Sequence, residues 1–190
     1  MLMVASVIVW DIETVPDIKS FAAANGHDGK SDDEIRVAMG DEFPKHIYHS
    51  IICIGALIAH EEEGRWAVDA LGAPHVGERS EKALISSFVD RIAQLTPQLI
   101  TFNGTSFDLP VLRYRAMVHA IAALGLSSRP YFNRYTEDAI DLCDVLSSFP
   151  SHFWISVRCS TCMRLRRYRA QAEPRLVLRP QSDNVQDRRG

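Results

Sequence analysis

No apolar run in the chain approaches the roughly 18–20 residues that a membrane-spanning helix needs, so no such span is expected. The N-terminal MLMVASVIVW has no basic segment and runs directly into Asp11. It therefore does not read as a secretory signal, and a cytoplasmic location is expected. Cysteine is scarce: Cys53, Cys143, Cys159 and Cys162 are all there is. In a reducing compartment these four are expected as thiols rather than as a disulfide framework. Glycine is too thin over residues 1–60 for a dinucleotide-binding fingerprint, and no Gly-rich phosphate loop or internal repeat occurs. Lysine is missing from residues 151–190, which hold nine Arg against Glu173, Asp183 and Asp187, a net of +6. The first 150 residues hold 12 basic and 21 acidic residues, a net of −9. That charge split, with hydrophobic periodicity fading after about Trp154, divides the chain into a 1–150 domain and a 151–190 Arg-rich, irregular tail.

What is present in the first 150 residues has the composition and patterning of a globular fold. Residues 5–13 read as a buried strand rich in Val and Ile. Residues 20–46 are polar, with NGHDGKSDDE as a loop or short helical excursion. IYHSIICIGALIA (47–59) is a second strand, EEEGR a turn and RWAVDAL a third strand. From Ser80, an N-cap residue, Leu84, Ile85, Phe88, Val89, Ile92 and Leu95 form one apolar stripe and predict a helix that Thr96-Pro97 stops. QLITFNG is a short buried strand, and SFDLPVLRYRAMVHAIAAL a second helix with Pro110 in its first turn. The order predicts an α/β layered domain with a mixed sheet.

The first strand ends in Asp11-Ile12-Glu13. Alternation along a strand puts Asp11 and Glu13 on one face and Trp10 and Ile12 on the other. Two like charges so close need hydration, an Arg partner or a cation. Hard divalent cations favour carboxylate oxygens, and paired ions are a recurrent device for phosphodiester cleavage. Asp108 stands at a second strand-to-helix junction. If its strand lies beside the first, its carboxylate approaches the Asp11/Glu13 face from the side.

FNGTSFDLPVL closely resembles the second exonuclease motif of family B DNA polymerase proofreading domains, and VWDIETVPD resembles the first. Over residues 5–149 the chain is similar to predicted PolB-like 3'-5' exonucleases of the DnaQ-like, DEDD superfamily, which have a ribonuclease H-like mixed β-sheet with flanking helices. The resemblance implies a pair of Mg²⁺ or Mn²⁺ ions held by Asp11, Glu13 and Asp108. It implies a slot for the 3' nucleotide of single-stranded DNA or RNA lined by Thr14, Asn103 and Phe107. Asp141 and Asp144 are candidate supporting acids, or else the polar face of an amphipathic helix. The superfamily also carries a fourth carboxylate, in Tyr-x3-Asp or His-x4-Asp. Tyr-x3-Asp does not occur here, and His-x4-Asp occurs only at His27–Asp32, in the wrong order. The domain is thus expected to be incomplete and its activity weak.

The tail reads in three ways: a stretch left out of frame after about residue 150, a basic nucleic-acid-binding arm, or half a zinc site at Cys159-x2-Cys162 with His152 and Cys143. The arm would also serve a non-catalytic nucleic-acid binder of the same fold, and carboxylates that only cap strands would leave an interaction protein.

Overall fold

The computed structural model describes residues 5–134 and 136–147, so every reading of the tail falls outside the described residues. Strand β1 (Ser6–Pro16) pairs antiparallel with β2 (His49–Glu62) along its whole length. Glu63 and Gly64, at φ 51° and 77°, make the tight turn into β3 (Arg65–Gly72), completing the expected meander. Helix α3 (Glu81–Leu95) follows, then β4 (Gln98–Thr101), parallel to Val7–Val9 of β1. Helix α4 (Asp108–Val118) leads to β5 (Ala139–Asp141), parallel to β4, and to α5 (Leu142–Ser147). The sheet order is β3-β2-β1-β4-β5. This is the expected mixed sheet with flanking helices. No described helix is long and apolar enough to cross a membrane.

One face of the sheet carries the core. Ile8, Trp10 and Ile12 of β1, Ile54 of β2 and Leu99 of β4 pack against Leu84, Ile85, Phe88, Val89 and Ile92 of α3 and Leu109 and Leu112 of α4. Each such side chain contributes about 1.5–3 kcal/mol when fully buried. Helix α3 begins as expected, with the Ser80 hydroxyl accepting from the Ala83 N–H. It ends at Thr96 in the left-handed region (φ 42°) just before Pro97.

The differences from expectation have local causes. Residues 20–46 contain two helices. α1 (Ile18–Asn25) is capped by Asp17, and α2 (Asp32–Met39) by a Ser31/Glu34 capping box that was legible as S-x-x-E. Helix α4 is shorter than expected, stopping before His119 although HAIAAL would sustain a helix. The chain turns through Ala120 (φ 50°) so that the turn at Leu124–Ser127 can seat Leu126 in the core. There Gly125 lies so close to α3 that a Cβ would fall 2.1 Å from the Val89 carbonyl oxygen, so tertiary contact overrides propensity. IDLCDV reads from the sequence as carrying supporting acids or the polar face of an amphipathic helix. Its first residues instead add β5 to the edge left by β4.

Arg115, 3% exposed, ties these elements together. It donates to Asp17 at 2.6 Å and to both Glu81 oxygens at 2.8 and 2.6 Å. Glu81 also accepts from the Ile51 N–H at 2.6 Å and from His119 Nε2 at 2.8 Å. Burial alone would raise the Asp17 and Glu81 carboxyls. Hydrogen bonds from Ser20 and Arg115 to Asp17, and from Arg115, His119 and Ile51 to Glu81, outweigh it and hold both below the usual range.

Removing the guanidinium strands two buried carboxylates, so Arg115→Ala is expected to lower the unfolding free energy by about 3–5 kcal/mol, measured by urea denaturation. Because the folded-state values of Asp17 and Glu81 are depressed, their stabilisation is present above the unfolded carboxyl range and lost as pH falls through the folded values. The urea midpoint of the native chain is therefore expected to fall on acidification from about pH 5 to pH 3.

Candidate active site

The site begins with a mismatch in strand length. β4 pairs with β1 only as far as Val9↔Ile100, while β1 continues to Pro16. Beyond Val9 the β4-side edge of β1 is open to whatever the chain after Thr101 places there. That chain turns tightly. Asn103 lies at φ 63°, and a Cβ on Gly104 would fall 2.4 Å from the Thr101 side chain, so glycine is required. Helix α4 then starts at Asp108.

Asp108 is 1% exposed, and its Oδ1 accepts a long hydrogen bond, 3.4 Å, from the backbone N–H of Ile12. Ile12 is the residue between Asp11 and Glu13. The two sequence motifs, 96 positions apart, therefore meet at a single peptide group, from the edge direction that the adjacent-strand reading required.

Asp11 and Glu13 are exposed on the sheet face opposite the core, as alternation predicted. Their cross-strand partners on β2 are Gly55 and Cys53. Gly55 leaves the space beside Asp11 clear of a side chain. The Cys53 thiol registers the local charge: burial first, then the fields of Glu13, Asp11 and Glu78, push its pKa up. The donors are carboxylate oxygens, which suit a hard divalent cation. Their spacing is open: among the described residues no three His, Cys, Asp or Glu side chains converge as a closed metal cluster.

The remaining expected residues separate into two groups. Phe107 is buried against the rings of His49 (5.0 Å between centroids), Phe43 (5.5 Å) and His46 (5.7 Å). Thr14 joins this cluster through a 3.1 Å hydrogen bond between its hydroxyl and His49 Nδ1. Asn103 is held instead by Asp141, whose carboxylate accepts from the N–H groups of Asn103 (2.7 Å), Thr105 (3.3 Å) and Cys143 (3.0 Å).

This corrects the helix-face reading of Asp141. It ends β5, is 5% exposed and anchors the loop that delivers Asp108. Asp144 is helical as expected and forms a two-pronged pair with Arg134 at 2.7 and 2.5 Å. His49, Phe43 and His46 were missed. Their one signal was a His-rich approach to a strand, HIYH, which by itself looks like a polar loop.

The model of the family described as "Predicted 3'-5' exonuclease related to the exonuclease domain of PolB" matches residues 41–162, more than half of the chain. The chain belongs to this family. The match to the PolB-related exonuclease family includes Asp108 and begins after Asp11 and Glu13, which join the site through the geometry of β1. The match thus sets the chain in a family of predicted nucleases.

Among solved structures, the family B DNA polymerase from the hyperthermophilic archaeon Pyrobaculum calidifontis is similar at 16% identity and TM-score 0.44, over 77% of this chain and 16% of that one. E. coli Exonuclease I in complex with a dT13 oligonucleotide is similar at 14% identity and TM-score 0.38, over 75% of this chain and 29% of that one. The metal-free form of the E. coli ExoI–ssDNA complex is similar at 15% identity and TM-score 0.34, with the same coverage. This chain thus spans less than a third of the length of each. No curated protein matches.

Asp141→Ala leaves three backbone donors without their acceptor. It is expected to cost about 1–3 kcal/mol and to speed hydrogen exchange at the Asn103 and Thr105 amides relative to the α3 amides.

Proposed function

We propose that this PolB-related exonuclease domain is a Mg²⁺- or Mn²⁺-dependent 3'-5' exonuclease that removes nucleotides from single-stranded DNA or RNA ends. The observation that supports this reading is the hydrogen bond from Ile12 N–H to Asp108, which brings a buried carboxylate to the backbone of the residue that separates Asp11 and Glu13 in the chain. Asp11, Glu13 and Asp108 supply the carboxylate oxygens that would hold divalent ions, and they would have to draw together to do so, since they form no closed cluster among the described residues. When bound, such ions supply water activation and neutralise the charge that develops on the phosphate.

The chain's own residues supply position. Asp108 is fixed by burial and by the Ile12 N–H, so it keeps its place while Asp11 and Glu13 adjust. The Phe107 ring, buried among His49, Phe43 and His46, stiffens the start of α4 where Asp108 stands. By the family resemblance, Thr14, Asn103 and Phe107 would line the slot for the 3' nucleotide. Tyr-x3-Asp does not occur in the chain and His-x4-Asp occurs only at His27–Asp32, so weak or absent turnover is expected.

The test is release of mononucleotides from a 3'-labelled single-stranded oligonucleotide in Mn²⁺. Asp11→Ala is expected to lower the rate on the order of 100-fold. Equal rates for the two proteins would end the proposal. Calorimetric Mn²⁺ binding that is lost in Glu13→Ala is the accompanying readout.

A further inference from the structure

The sheet order puts β3 and β5 at its two ends, and the two edges differ. β5 is three residues long, and its last residue, Asp141, is engaged by the loop before α4. β3 runs for eight residues, and among the described residues its backbone pairs with β2 alone. Such an edge offers a row of N–H and C=O groups to another chain, and natural proteins commonly blunt it with Lys, Pro or inward-pointing charge. β3 has no Lys and no Pro, and its charged residues are Arg65 and Asp69. Its large apolar side chains stand in solvent: Trp66 is 55% exposed and Val68 62%.

Cross-strand pairing assigns these side chains to faces. Val68 is opposite Ala59, and Ala59 is opposite Val7, which shares its face with Asp11 and Glu13. Val68 and Trp66 therefore lie on the carboxylate face. Arg65 and Ala67 lie on the other. The register shift at Ile58/Ala59 leaves Asp69 as the extra residue of β3, and its side chain joins Arg65 and Ala67, because it accepts from Nδ1 of His60, opposite Ala67, at 2.8 Å. Arg65 has no ion pair among the described residues.

We propose that β3 is a self-association edge, at which a second copy of this chain adds its own β3 antiparallel about a twofold axis through Ala67. In that register Trp66 of one copy faces Val68 of the other on the carboxylate face. Arg65 faces Asp69 on the opposite face, and the twofold repeats both pairs. Neighbouring registers lose the match. Centring on Trp66 sets Asp69 against Glu63, two like charges, and centring on Val68 sets Asp69 against Ala67. The same-face requirement of a strand pair excludes the registers between them. The two sheets join into one, and the axis runs across the sheet, so the carboxylate faces of both copies look the same way. The inference stands apart from the nuclease reading and requires no activity.

The test is sedimentation velocity of the full chain from about 1 to about 200 µM. A reversible monomer–dimer equilibrium is expected, with a dissociation constant on the order of 10 µM, in keeping with a small interface. Arg65→Asp sets Asp against Asp at both symmetry-related pairs, and Asp69→Arg sets Arg against Arg. Each variant alone is expected to dimerise about tenfold more weakly than the native chain. Mixed in equal amounts, the two restore both opposite-charge pairs, and dimers containing one copy of each are expected at close to the native affinity. That result requires both variants to be folded.

A second measurement needs no variant. Hydrogen exchange at one or more of the Trp66, Ala67 and Val68 amides is expected to slow as the native chain is concentrated, while exchange in α1 stays constant. A native chain that is monomeric at the highest concentration, assemblies larger than a dimer, or exchange in β3 that ignores concentration would overturn the proposal. So would single variants that associate as tightly as the native chain, or a mixture no tighter than its components.

Discussion

The functional half of this molecule depends on the open edge of β1 beyond Val9. A backbone N–H on such an edge needs an acceptor, because water is largely excluded where a helix packs alongside. Asp108 is that acceptor for Ile12. The bond satisfies a buried donor, gives a buried carboxylate a partner and draws two distant segments together. Had β4 run two or three residues further, its own carbonyls would have met the β1 edge and Asp108 would have been displaced from it.

Around this contact the charged groups divide by burial. Arg115, Asp17, Glu81 and His119 form a compensated network whose work is mechanical, joining α1, α3, α4 and β2. Asp141 spends its acceptor capacity on backbone N–H groups and shapes the loop before α4. Asp11 and Glu13 keep contact with solvent, and the Cys53 thiol, raised first by burial, is raised further by the negative field they create with Glu78. Carboxylates in one small region thus do different work according to what faces them.

Much of the fold was legible because it follows from period and punctuation. Alternation in β1 assigned Asp11 and Glu13 to the face away from Trp10. The three- and four-residue stripe from Leu84 to Ile92 marked α3, with Ser80 and Thr96 as its ends. The polar stretch that became α1 and α2 was harder. Each of these helices buries only a small apolar cluster of Ile18, Ala22 and Ile35, so caps rather than periodicity carried the signal. Ala120 and Gly125 defeated propensity because close packing on α3 outweighed the local preference for helix.

The amino-acid sequence alone determined which residues could do chemistry: a same-face pair of carboxylates at one strand end, and a third at a strand-to-helix junction. Those follow from local alternation and from the chemistry of the side chains. Only tertiary structure decided that Asp108 reaches Ile12, that Asp141 serves the loop and that Thr14 meets His49. Each of these depends on the relative lengths and register of strands far apart in the chain, which no local pattern encodes.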